Sequence, residues 1–433
     1  MRNINNYYIL VFFLYLSLLF GLYTNEDLLG GASIDYNKIL LKLDLLKNDI
    51  RYYFLNYNEI NLRHSPIFQI FHVISLNIFN NDIFFKIINL HLNLLIVLIF
   101  YLSLKLKFKK VLSKNLIIIS SIIFIMPTFR SYSIWPDSFL CGFIFFMFSI
   151  YYLIKFIDCV PKQKLYYAYL NVIFLCIASY ISPNFSTFSI FYLYIFYRYF
   201  NFSKKLLKII FLNFIFSLPM VFYIFILDNN FLDFDGSHWV KNQTTISLQN
   251  VANKLILIPS ILLLYFVPIF ILKFSEIKKR SLFIVKNLSY THYVIIVSPF
   301  IFIKYFSYYE VNAVLGGGGL FFSILQFFNN HLLILALISS ISIFLIMLLL
   351  ENNIKSIVFI LCLFLSAPQL TIYTVYFDLI LFVCIFLLMS EGLLKIDNLL
   401  NKDKYILLFF LYYLLILFLY VQKNNFFNLM QTF

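Results

Sequence analysis

Between Leu332 and Leu350 no residue carries a charge. Wound as a helix at about 1.5 Å per residue, such a run matches a bilayer's hydrocarbon core of about 30 Å. Comparable uncharged runs recur along the chain, for example Tyr7 to Tyr23 and Ser138 to Ile154. With no water to satisfy backbone polar groups, only helices and closed barrels span lipid. Barrel strands alternate apolar and polar residues over about ten positions, whereas these runs are continuous. The expected fold is therefore all-α, a polytopic transmembrane helical bundle. Its charged content of 12% against 62% hydrophobic residues is too low to solvate a water-soluble surface of this length.

The net charge of +14 belongs to short basic loops between apolar runs, the pattern that retains loops on the cytosolic side. No contiguous basic domain exists for nucleic acid, so the expected partner is the lipid bilayer. The cysteines Cys141, Cys159, Cys176, Cys362 and Cys384 form no CxxC pair, which argues against a disulfide framework or a zinc site. No metal or cofactor motif is present. The first run lacks a small-residue cleavage signature, which predicts an uncleaved helix.

Apolar length and Lys/Arg siding predict about 12–13 helices in a single integral membrane domain over 1–433. The first covers about 7–23 and leads outward into a loop over 24–80. Within that loop 66–80 is too short to span and reads as a juxtamembrane helix. Further helices are expected at about 83–104, 111–129, 139–157, 166–181, 185–200, 209–227, 253–272, 290–305, 332–350, 356–372, 378–394 and 405–421. A second outer loop occupies 228–252. Most acids fall on the outer side in this scheme, although acids contribute little to orientation.

Several outer residues can carry chemistry. Asp35 follows the first helix at the membrane–water boundary, where burial would raise its pKa toward general-base range. Arg130 precedes Trp135 and Asp137 at the outer end of the third helix, and an arginine there suits a phosphate. Lys86, Asn89 and Asn93 share one helix face. Gly316 to Gly319 gives a flexible backbone able to form an anion nest. For each, a plainer role exists: a solvated acid, a snorkelling cation or a close helix crossing.

Taken in order, these segments resemble the GT-C glycosyltransferases, in particular bacterial members of the dolichyl-phosphate-mannose protein mannosyltransferase and lipid-linked aminoarabinose transferase group. Asp35 matches the acid after the first helix, His64-Ser65-Pro66-Ile67 looks like the His-Pro-Pro-Leu segment that opens a juxtamembrane helix, and Asp137 stands where a second outer acid lies. Phe129 to Asp137 also looks like the Arg-Ser…Trp-Pro segment of some members. The resemblance covers roughly the first 160 residues. It implies an inverting transfer of sugar from a polyprenyl-phosphate donor to an unknown glycan, lipid or protein hydroxyl at the outer face of a bacterial inner membrane. Asp35 and Asp137 would be catalytic, and Arg130, Arg63, His64 and Lys86 would hold the donor phosphate. Two other readings work on similar substrates: a flippase or transporter of lipid-linked saccharides, and an O-antigen polymerase or ligase.

Overall fold

The computed structural model describes residues 5–56, 66–79, 81–225, 248–286, 290–309, 317–326, 332–350, 354–366, 371–389 and 396–431. Among them every regular element is a helix. Seven helices are long and apolar enough to cross a bilayer, and eight if one bent pair counts as a single span. The chain is a multi-pass integral membrane protein. Its described residues fall into two compact units, Met1–Gly236 with Leu400–Phe433, and Ser237–Leu399.

The first unit opens with α1 (Asn5–Tyr23), followed by α2 (Ala32–Asn48), α3 (Ile50–Leu55) and α4 (Ile67–Phe79). None of these last three reaches the length and hydropathy of a span. At 13 residues, α4 is about 20 Å long, well short of the hydrocarbon core. In α2, Ala32, Tyr36, Leu43 and Leu46 are buried, while Asp35, Lys38 and Lys47 face out. That face packs on α4, and Leu46 joins Tyr53, Phe54 and Val73 in a small apolar cluster.

Next comes α5 (Asp82–Lys107). The Asn81 side chain caps it by accepting from Ile83 N at 2.8 Å, with Asp82 in the first turn and Lys105 and Lys107 in the last. Both charge placements favour the helix dipole. Its apolar and polar faces are inverted relative to a soluble helix. Ile83 and Leu98 are 62% and 51% exposed, while Asn89 and Asn93 are 8% and 1% exposed. Lipid covers the former, and the bundle covers the latter.

The third predicted span is broken. The helix α6 (Ser113–Ser121) runs into a 3-10 turn, and α7 (Pro127–Ile134) leaves at 63°. Pro127 at the start of α7 has no N–H to continue the preceding ladder, which places the break there. A hairpin of α8 (Ser138–Asp158) and α9 (Lys164–Ile181) follows, then α10 (Phe188–Phe200) and α11 (Lys204–Phe225). Gly142 permits the close approach of the α8–α9 hairpin, since an added Cβ would lie 3.0 Å from the Phe185 ring and 3.2 Å from the Ala178 carbonyl. Asn171 Nδ2 donates to Ser149 O at 2.7 Å across the same pair.

The second unit holds α12 (Leu248–Lys286), α13 (Tyr290–Phe302), α14 (Gly319–Leu325), α15 (Leu332–Leu350), α16 (Ile354–Ser366), α17 (Asp378–Leu387) and α18 (Asp397–Leu400), the last ending at the boundary. The helix α12 packs on α13, α15 and α17. The final helix, α19 (Asp403–Gln431), returns to the first unit and packs on α6.

Several runs expected as spans form shorter helices. Among the described residues, those at 185–200, 290–305 and 356–372 give α10, α13 and α16, each of 13 residues, with 367–370 of the last run outside them. The run at 378–394 gives α17, whose 10 residues are all buried. At 10 residues this helix is shorter than a span needs, and residues 390–394 of that run lie outside the described residues.

Basic ends in the first unit carry ion pairs between helices. Lys109 Nζ meets Asp158 at 2.7 Å, and Lys114 Nζ meets Asp403 at 2.7 Å. A reporter fused after Lys110 is expected to read cytosolic by the positive-inside rule. An external signal at that position would reverse the siding of every later loop.

Candidate outer-face site

The chain leaves α1 through Asn25, which is in the left-handed region with φ 53°. The turn brings Glu26 onto Arg130 of α7. Arg130 Nε and Nη2 donate to the two Glu26 carboxylate oxygens, each at 2.6 Å. Nη1 donates to Ser17 Oγ at 3.0 Å and to Phe124 O at 3.4 Å, and Nη2 also donates to Ser17 O at 3.0 Å. A guanidinium has five N–H donors, and these contacts use all of them. Arg130 therefore acts as a clamp between α1, the outer turn and α7, with no donor left for a phosphate. Gly21 makes room for the pair, because a Cβ there would lie 2.6 Å from Glu26 Oε2.

More bonds fasten the same turn. Ser131 Oγ accepts from Leu28 N at 3.0 Å, and Trp135 Nε1 donates to Glu26 O at 3.1 Å. Asp27 accepts from Gly30 N, Ser33 N and Ser33 Oγ, each at 3.0 Å, and so fixes the start of α2. Asn89 Nδ2 donates to Tyr132 O and Ser133 O at 3.0 Å, tying α5 to α7.

The start of α2 thereby stands against the starts of α5 and α8. Tyr36, buried, donates its hydroxyl to Asp82. Burial, reinforced by this bond to the Asp82 carboxylate, holds the Tyr36 hydroxyl protonated well above its ordinary range. Asp82 also pairs with Lys86 at 3.2 Å, and the Lys86 side chain is only 12% exposed. Its ammonium lies 4.1 Å from the Trp135 ring centroid and 5.2 Å from that of Tyr36. The lysine does not snorkel to bulk water; an acid and two aromatic faces hold it in place.

Asp35 sits in the first turn of α2 with its side chain 54% exposed and Lys38 at 3.9 Å. Partial burial raises its carboxyl; Lys38 opposes this and Asp27 adds to it. Asp137, half-buried, caps α8 by accepting from Phe139 N at 2.6 Å. Burial pushes the Asp137 carboxyl up to about 7; the bond from Phe139 N opposes the rise and the Asp35 charge adds to it. The two acids, far apart in sequence, are within electrostatic reach of each other.

Arg63 and His64 lie outside the described residues, as do Gly316 and most of the 228–252 loop. Gly317, Gly318 and Gly319 have φ of 95°, 85° and 84°, and Gly318 N donates to Ile372 O at 2.8 Å. That amide is spent within the second unit. No group of three or more His, Cys, Asp or Glu able to hold a metal occurs among the described residues.

Sequence patterns do not single out Glu26, Tyr36 or Asp82 as site residues. Asp82 does carry a signal, four residues before Lys86 on one helix face. Glu26 carries none, being 104 residues from its arginine. Compared with known proteins, the chain matches no family model, no curated protein and no solved structure.

Proposed function

We propose that the chain is a membrane glycosyltransferase of GT-C type, moving a sugar with inversion from a polyprenyl-phosphate donor to an acceptor hydroxyl at the outer face of a bacterial inner membrane. The observation that carries this reading is the acid pair: Asp35, exposed at the start of α2, within electrostatic reach of Asp137, whose carboxyl is pushed up to about 7. A carboxylate with a raised pKa at an accessible surface suits proton removal from a hydroxyl.

In this reading Asp35 takes the acceptor's proton as its oxygen attacks the anomeric carbon. The bond from that carbon to the phosphate oxygen breaks, and the polyprenyl phosphate leaves with the electron pair. Lys86 offsets the charge developing on the leaving phosphate, exchanging part of its pairing with Asp82. Tyr36 and Trp135 keep its ammonium desolvated and in place.

The test is transfer of labelled sugar from a polyprenyl-phosphate hexose by the full chain in proteoliposomes. Wild type is expected to transfer, and Lys86→Met to lose at least about tenfold. Full activity in Lys86→Met would remove the lysine from the site, and no transfer by wild type from any polyprenyl-phosphate hexose would end the reading.

One observation favours a flippase instead: the 63° break between α6 and α7, since transporters use discontinuous helices. The same proteoliposomes separate the two. A flippase moves the lipid-linked saccharide across the bilayer with no acceptor present.

A further inference from the structure

At the basic end of the first unit, a cavity of about 160 Å³ opens where the last turns of α5 and α8 meet the first turn of α9. Leu106, Ile154, Lys155, Asp158, Cys159 and Tyr167 line it. Asp158 is held by Lys109 at 2.7 Å, so its charge is offset. Lys155 has no carboxylate within ion-pair distance among the described residues. Three tyrosine rings stand around its ammonium instead, those of Tyr151, Tyr167 and Tyr152 at 4.8, 5.6 and 5.9 Å from centroid to Nζ.

The lining thus holds one lysine fixed by aromatic faces and one acid whose charge Lys109 offsets from outside it, so the three charges together leave an excess of one positive. The nearby Lys164 points elsewhere, donating to Phe156 O at 2.9 Å and lying 4.2 Å from the Tyr199 ring. One turn before Leu106 on α5 stands Leu102, and next to Asp158 on α8 stands Ile157, each 38% accessible. An apolar flank below a cationic hollow, at the level where spans leave the hydrocarbon core, fits a lipid whose headgroup enters the hollow and whose chains lie along the helices.

We propose that this cavity binds the headgroup phosphate of an anionic glycerophospholipid from the basic-side leaflet, with Lys155 as its charge partner. A zwitterionic headgroup brings its own ammonium, which Lys155 repels. The site is independent of the outer acids and of the transfer reaction.

Native mass spectrometry of the full chain in detergent tests it, with phosphatidylglycerol, phosphatidylcholine and inorganic phosphate as probes. Phosphatidylglycerol is expected to bind wild type about fivefold more tightly than Lys155→Met, the scale of one lysine near a membrane surface. Phosphatidylcholine should bind both alike, and Lys155→Arg should retain the preference. Should Lys155→Met fail to fold, Tyr167→Leu, which removes a ring and a hydroxyl from the lining, carries the same expectation. Equal phosphatidylglycerol binding by the variants and wild type would overturn the site. Displacement of the lipid by inorganic phosphate would overturn the lipid as its occupant.

Discussion

Replacing Arg130 with methionine is expected to lower stability by about 3–5 kcal/mol, the cost of leaving one charge of a buried pair uncompensated. Arg130 is 7% exposed and Glu26 20%, and two 2.6 Å bonds join them. The methionine also removes the guanidinium's bonds to Ser17 Oγ, Ser17 O and Phe124 O. The double variant Arg130→Met with Glu26→Gln should recover much of the loss, because neither charge remains. Thermal melting in detergent checks both variants. A single variant as stable as wild type would show that the pair is not buried as described.

Asp35→Asn is expected to lower sugar transfer by about 10²- to 10⁴-fold, the usual contribution of a positioned base. Its exposure makes a folding defect a poor explanation for any such loss. The neighbouring acid supplies a second readout. Asp137 keeps its proton to about pH 7; its loss puts a second negative charge near Asp35 and makes Asp35 a stronger base, so transfer should increase as pH climbs through about 7, and Asp137→Asn should remove that limb. A limb that persists in Asp137→Asn assigns the titration to another group.

Stability follows the same proton. The native Asp137 binds it more tightly than an ordinary aspartate near 3.8, so its contribution is full below that value and is lost as pH rises through about 7. Asparagine stays neutral and caps a helix as well as aspartate. Asp137→Asn should therefore melt like wild type at low pH and above it at pH 8. Lower melting at pH 8 would mean the carboxylate is stabilised, not penalised, by its surroundings.

Much of the first unit is legible in the sequence. The run at about 83–104 forms α5, and that at about 139–157 forms α8, each started by a capping side chain and carrying lysine in its last turn. The stretch at 66–80 stays too short to span. The third run is legible in position but not in shape, since its bend depends on Pro127 and on what α7 packs against. Late runs are legible as apolar but not by how they avoid water. Hydropathy reports distance from water, and α17 avoids water by lying inside the protein. At the outer face, the acids Asp35 and Asp137 are visible as types in a fitting place. Arg130 is visible too, but the side chains that occupy it come from α1 and the outer turn, and no local pattern predicts such a meeting.

The Glu26–Arg130 clamp has a consequence for biogenesis. Its acid is made with the first helix, and its cation follows 104 residues later. Until the segment bearing Pro127 emerges and bends, the outer turn lacks its tie to α7, and α2 has only α4 and the start of α5 to dock against. Assembly of the outer face thus waits on the third hydrophobic segment, and a nascent chain ending before Arg130 carries an orphaned glutamate at the membrane surface for quality control to find.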